Sequence, residues 1–156
     1  MKSRILIFLC LAVASNALAD AAEDVRDHEI RFSQSVETQE LELFTSFIDD
    51  DARFVSGVVS RGPAAVADAW SSFFADDGPR IKWRPRIVEV LEDGTLALSR
   101  GPYKMTVTDE AGTVSEYWGT FNSIWRLQED GSWKVVFDAG SPAAAAPSDE
   151  IKALLD

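Results

Sequence analysis

The chain has 156 residues, 26 acidic against 15 basic, and a formal net charge of −11. That balance lacks the basic footprint that nucleic acid or an anionic membrane surface requires, so neither is an expected partner. A single cysteine, Cys10, excludes an intramolecular disulfide framework.

Lys2 and Arg4 precede an apolar stretch from Ile5 to Val13, and Ala17-Leu18-Ala19 fits a small-x-small cleavage site. This is the architecture of an export signal over residues 1–19. The expected mature chain starts at Asp20, is secreted or periplasmic, and retains no cysteine. Losing Lys2 and Arg4 takes the formal charge from −11 to −13. No later apolar run approaches the length of a membrane span, so no membrane contact is expected after cleavage. Residues 20–140 suffice for one ordinary domain, followed by a Pro/Ala linker and short helix over residues 141–156.

Along the chain, Val25, His28, Phe32 and Val36 recur at helical steps and predict a helix over residues 22–38. Leu41, Phe44 and Ile48 predict a second, shorter helix over residues 39–48, ended by Asp49-Asp50-Asp51. Residues 53–56 read as a strand and residues 57–62 as a loop. Pro63 suits the first turn of a third helix, which runs to about Ala75 with Val66, Trp70, Phe73 and Phe74 as its apolar face.

The period then changes. Residues 81–91, 95–107, 114–127 and 133–139 read as strands, joined through Glu92-Asp93-Gly94, Asp109 to Gly112 and Glu129-Asp130-Gly131. Pro85 and Gly101-Pro102 inside strand patterns imply bulges, and so a bent sheet. Helices followed by a bent antiparallel sheet make an α+β domain. Charge divides accordingly: residues 20–51 carry eleven acids against Arg26 and Arg31, whereas residues 80–137 carry eight of each sign.

Trp83-Arg84-Pro85, Ala97-Leu98-Ser99-Arg100-Gly101, Trp118-Gly119-Thr120-Phe121 and Gly131-Ser132-Trp133-Lys134-Val135-Val136-Phe137-Asp138 come in an order that resembles the nuclear-transport-factor-2-like superfamily, on its ketosteroid-isomerase-like and SnoaL-like side. The resemblance covers roughly residues 23–140. It implies a cone-shaped, strongly bent antiparallel sheet wrapped around N-terminal helices, a pocket between concave face and helices, and a homodimer formed through sheet faces. Aligning Asp51-Ala52 with the matching pair of the steroid isomerases puts Ser56 at the base position and Phe32 at the oxyanion tyrosine. Serine is no carboxylate base and phenylalanine donates no hydrogen bond, so steroid-isomerase chemistry is not expected.

Other chemistries find little support. One histidine cannot build a multi-histidine zinc site, and Asp49-Asp50-Asp51 lacks the alternating spacing and glycine turn of a calcium loop, so neither metal nor cofactor is expected. The remaining candidates for proton transfer are His28 and Asp138. Strand alternation places Asp138 opposite Trp133, Val135 and Phe137. Phe32, Ser56, Tyr103 and Trp118 are the candidate ligand contacts, and Trp70, Trp83, Trp125 and Trp133 the expected core anchors. The functional expectation is an exported domain that binds a small apolar or aromatic molecule. Its alternatives are an isomerase, lyase or hydratase using His28 or Asp138, and a protein-interaction module using the sheet face.

Overall fold

The computed structural model describes residues 5–145 and 147–156, with side chains from residue 17 onward. Lys2 and Arg4 of the expected export signal lie outside the described residues, as does the side chain of Cys10. Among the described residues no helix is long and apolar enough to cross a membrane.

Helix α1 (Ile5–Glu37) leads to α2 (Leu41–Ser46). Strands β1 (Ile48–Ser56) and β2 (Val58–Arg61) form a hairpin, and α3 (Gly62–Trp70) continues into a 3-10 turn at Ser71–Phe74. Five strands follow: β3 (Arg80–Trp83), β4 (Ile87–Val90), β5 (Leu96–Thr108), β6 (Val114–Leu127) and β7 (Trp133–Pro142). Helix α4 (Asp149–Leu155) closes the described chain. The seven strands form one sheet in the order β2-β1-β7-β6-β5-β3, with β4 following β3 along the same edge of β5. All pairings are antiparallel except β1 with β7.

The sheet bends strongly without closing, and the breaks in register show where. Pro85 has no backbone N–H to continue a ladder, and the expected strand over residues 81–91 divides there into β3 and β4. The crossing at this break is close: a Cβ on Gly101 would collide with the Arg84 carbonyl. Register also shifts between Ile48 and Arg53 in β1 and at Val136 in β7. The acidic run therefore lies within β1 rather than at a helix end. Asp49 is buried there, accepting from Arg126 at 3.3 Å and Gln128 at 3.0 Å. The expected loop at residues 57–62 contains β2 instead, because Gly57 at φ 80° turns the chain back on β1.

The concave face holds an aromatic core. Phe32 on α1 stacks on Phe44 with centroids 5.0 Å apart and meets Phe47, Phe54, Trp83 and Trp125 edge-on at 5.3–6.4 Å. Trp83, Trp125 and Trp133 are buried as expected, whereas Trp70 is only half-buried. Helix α4 is capped by Ser148, which accepts from the Ile151 N–H, and is held by Arg86–Glu150 at 2.8 Å and by buried Leu155.

Candidate functional site

Between the concave face and α3 with its 3-10 turn lies a cavity of about 330 Å³. Small-molecule sites run from roughly 300 to 1,000 Å³ and are mostly apolar with a few placed polar groups. This one matches that description. Its walls are Phe54 from β1, Trp70 and Phe73 from the helical side, Ile81 and Trp83 from β3, Met105 from β5 and Phe121 from β6. The polar groups are Ser56, Ser60, Tyr103 and Asp138. Asp138 is the only carboxyl among the lining residues.

Asp138 reaches the cavity because β7 carries an extra residue. Val135 pairs with Trp125 and Phe137 with Ile124, so Val136 is bulged out of the ladder. The bulge reverses the alternation beyond it. Trp133 and Val135 face inward, Phe137 turns out to solvent, and Asp138 turns in. This corrects the expectation that Asp138 lies opposite Trp133 and Val135; strict alternation fails at one added residue.

Behind Asp138 lies a group the sequence reading passed over. Glu29 on α1 is completely buried. Trp83 Nε1 donates to its Oε1 at 2.6 Å and Trp125 Nε1 to its Oε2 at 2.7 Å. Ser123 Oγ lies 2.9 Å from Asp138 Oδ2 and 3.4 Å from Glu29 Oε1, so one hydroxyl bridges the two carboxyls. Ser99 stands across from Ser123 in the β5–β6 ladder, near enough to favour the charged Glu29 but without hydrogen-bond geometry.

Both carboxyls are pushed up. Burial raises Glu29, against the indole and hydroxyl donors that favour its charge. Burial, then the nearby Glu29, raises Asp138 to about 7, with Ser123 pulling the other way. Two carboxyls sharing one low-dielectric site resist being charged together. A carboxyl that titrates near neutrality at the wall of an apolar cavity can give or take a proton there.

Tyr103 supplies the second polar tip, and burial raises its phenol. Its ring lies across β6 only because residue 119 is glycine: a Cβ there would overlap the ring and the Ser141 carbonyl.

The cavity thus unites Ser56, Tyr103 and Asp138 and leaves out the other candidates. His28 lies outside it, with Nδ1 2.7 Å from the Asp24 carbonyl and its ring edge-on to Phe47 and Trp125. Phe32 is sealed in the core. Trp118 lies on the far side of the sheet, under the Lys104 ammonium, in a second cavity of about 530 Å³ beside α4. That cavity is larger, but it contains no carboxyl or histidine; Arg86 and Arg100 are its charged groups. Of the two, the smaller one is lined by a carboxyl.

Glu29 was legible in principle. Val25, Glu29, Phe32 and Val36 follow helical steps as well as Val25, His28, Phe32 and Val36 do. A carboxylate in a core register is the signal.

The bent sheet, enclosing helices and internal cavity define a nuclear-transport-factor-2-like cone. Residues 30–136 match the SnoaL-like domain, and the chain belongs to that family. Similar solved structures include an NTF2-like protein with a cystatin-like fold from Novosphingobium aromaticivorans, at TM-score 0.67 and 18% identity over 100% of this chain and 99% of that one. A ketosteroid isomerase-like protein from Erwinia carotovora is similar at TM-score 0.68 and 16% identity over 80% and 97%. An NTF2-like superfamily protein from Salmonella enterica is similar at TM-score 0.68 and 15% identity over 85% and 97%. No curated protein matches the chain in sequence.

Proposed function

We propose that the chain binds a small, largely apolar molecule in the cone cavity and exchanges a proton with it through Asp138. The observation that carries this reading is a lone carboxyl, raised to about 7, on a mostly apolar wall. The reaction class is one that moves a proton within or from the ligand, as an isomerase, lyase or hydratase does. Tyr103 orients a ligand oxygen from the opposite wall. His28 has no part in this reading, because it does not line the cavity. Native mass spectrometry of protein purified from its own host, with Asp138→Asn alongside, tests the reading. A co-purifying small molecule supports it, and protein that carries none and binds no member of an apolar ligand panel overturns it.

Export is part of the proposal. Cleavage after Ala19 leaves α1 starting at Asp20, with Glu23 and Asp24 in its first turns, where acidic side chains suit a helix N-terminus. A homodimer is proposed on the outer sheet face. The bulge exposes Phe137 there, among Asp51, Arg53 and Arg126, so a twofold copy can cover the ring and pair opposite charges. Sedimentation of wild type and Phe137→Ser tests it; a wild-type monomer overturns it.

A further inference from the structure

The inference rests on the reading of Asp138 as the proton-exchanging group and extends it inward. A serine hydroxyl has one proton and can donate to one acceptor at a time. Ser123 lies between two carboxyls, at 2.9 Å from Asp138 and 3.4 Å from Glu29. If Ser123 donates to one, the other is bonded to it only by donating a proton of its own. With both carboxyls ionised, one of them faces the Ser123 lone pairs beside a like charge in a buried site. The bridge is therefore complete only when the pair holds a proton.

We propose that Glu29, Ser123 and Asp138 form a relay that holds one proton between its two carboxyls, with Glu29 as the buried positioning residue and Asp138 as the end that meets the ligand. Two arrangements are possible at the same total charge. In one, Glu29 is protonated, donates to Ser123, and Ser123 donates to ionised Asp138. In the other, the Ser123 proton is on Glu29's side and Asp138 carries the acid proton. Passing between them breaks the Glu29 O–H and Ser123 O–H bonds and forms new Ser123 O–H and Asp138 O–H bonds; no proton enters or leaves.

This arrangement sets the order of events. Losing the resident proton would leave two charges in one buried site, whereas gaining a second leaves none. The relay takes a proton before it gives one. Asp138 removes a proton from a ligand C–H or O–H, leaving the electron pair on the ligand, and returns the proton to a different atom of the same ligand. The substrate class is thus an apolar molecule with an acidic C–H beside an electron-withdrawing group. A net shift of a hydrogen, or departure of a hydroxyl as water, follows from the same two transfers.

The surroundings leave the pair undisturbed by other charge. Trp83 and Trp125 occupy Glu29 from both sides with neutral N–H donors. Arg84, on the same side of α1, is held by Glu37 at 2.7 Å and Ser33 at 3.0 Å. Arg26 is directed to the Pro85 carbonyl and His28 to the Asp24 carbonyl. On the cavity side the remaining titratable group is Tyr103.

The test is a carboxyl-carbon NMR titration of the ligand-free protein, with Asp138→Asn to assign its signal. In wild type, the Asp138 carbon should titrate near 7, and the Glu29 carbon should shift at the same midpoint. Glu29→Gln should lower the Asp138 midpoint, since Glu29 stands after burial among the causes that raise it. Ser123→Ala should reduce the response of each carbon to the other. A Glu29 carbon that stays silent through the Asp138 midpoint overturns the relay. So does an unchanged Asp138 midpoint in folded Glu29→Gln. If Glu29→Gln does not fold, the wild-type cross-response decides alone. No ligand is needed, so an intact relay in a protein that binds nothing refutes the ligand-binding reading and spares this one.

Discussion

The indole nitrogen of Trp125 on β6 lies 2.7 Å from the carboxyl of Glu29 on α1. This bond joins β6 to the first helix and makes a tryptophan both a core anchor and a hydrogen-bond donor. Trp125→Phe keeps most of the ring and removes the donor. Leaving a buried acceptor short of a partner costs about 1–3 kcal/mol. Trp125→Ala adds a cavity and should cost on the order of 3–5 kcal/mol. Urea denaturation of both variants checks the order; a Trp125→Phe variant as stable as wild type would mean that the donor contributes nothing.

The pH dependence of stability has a definite sign. Asp138 is raised from 3.8 to about 7 in the folded chain, so the folded state binds its proton more tightly than the unfolded state. Its contribution is complete below about pH 4 and is lost as pH rises through about 7. Glu29, also raised, acts in the same direction. Asp138→Asn should therefore be more stable than wild type at pH 8, by roughly 1–3 kcal/mol after discounting for partial solvent access, and should lose that advantage at pH 4. Melting at the two pH values tests this. A variant less stable than wild type at both would show that Asp138 is not held neutral by burial.

Gly119 is required by the ring of Tyr103. Gly119→Ala should displace that ring from the cavity wall and cost about 1–3 kcal/mol through overpacking. Tyr103→Phe keeps the ring and removes only the hydroxyl. If Tyr103 orients a ligand oxygen, both variants weaken binding, and only Gly119→Ala also lowers the melting temperature. Binding left intact by both would remove Tyr103 from the site.

The candidates outside the cavity make a control. His28→Ala and Trp118→Ala should leave ligand affinity within about twofold of wild type, because neither side chain reaches the cavity. Calorimetry with whichever molecule co-purifies decides. A tenfold loss in Trp118→Ala would move the ligand to the cavity beside α4.

The N-terminus of exported protein should be Asp20. Mass spectrometry of material from the extracellular or periplasmic fraction reads it directly; an intact Met1 in all fractions would remove the signal from the account.

Local chemistry in the chain determined a good deal of this protein. Alternation and Asp-Gly turns placed the long strands β5 and β6 within a residue or two, because a period of two needs no partner to be recognised. The aromatic anchors Trp83, Trp125 and Trp133 and the bend at Pro85 were visible for the same reason. Tertiary structure decided the site. A single extra residue at Val136 turns Asp138 from the solvent face to the cavity, and nothing in Val135-Val136-Phe137 states which residue will bulge. Two registers of α1 fitted its pattern equally well; only the indole groups of Trp83 and Trp125, arriving from strands more than fifty residues away, choose the one that buries Glu29. A buried carboxyl is tolerable only where donors meet it, and those donors are brought together by the tertiary fold rather than by their neighbours in sequence.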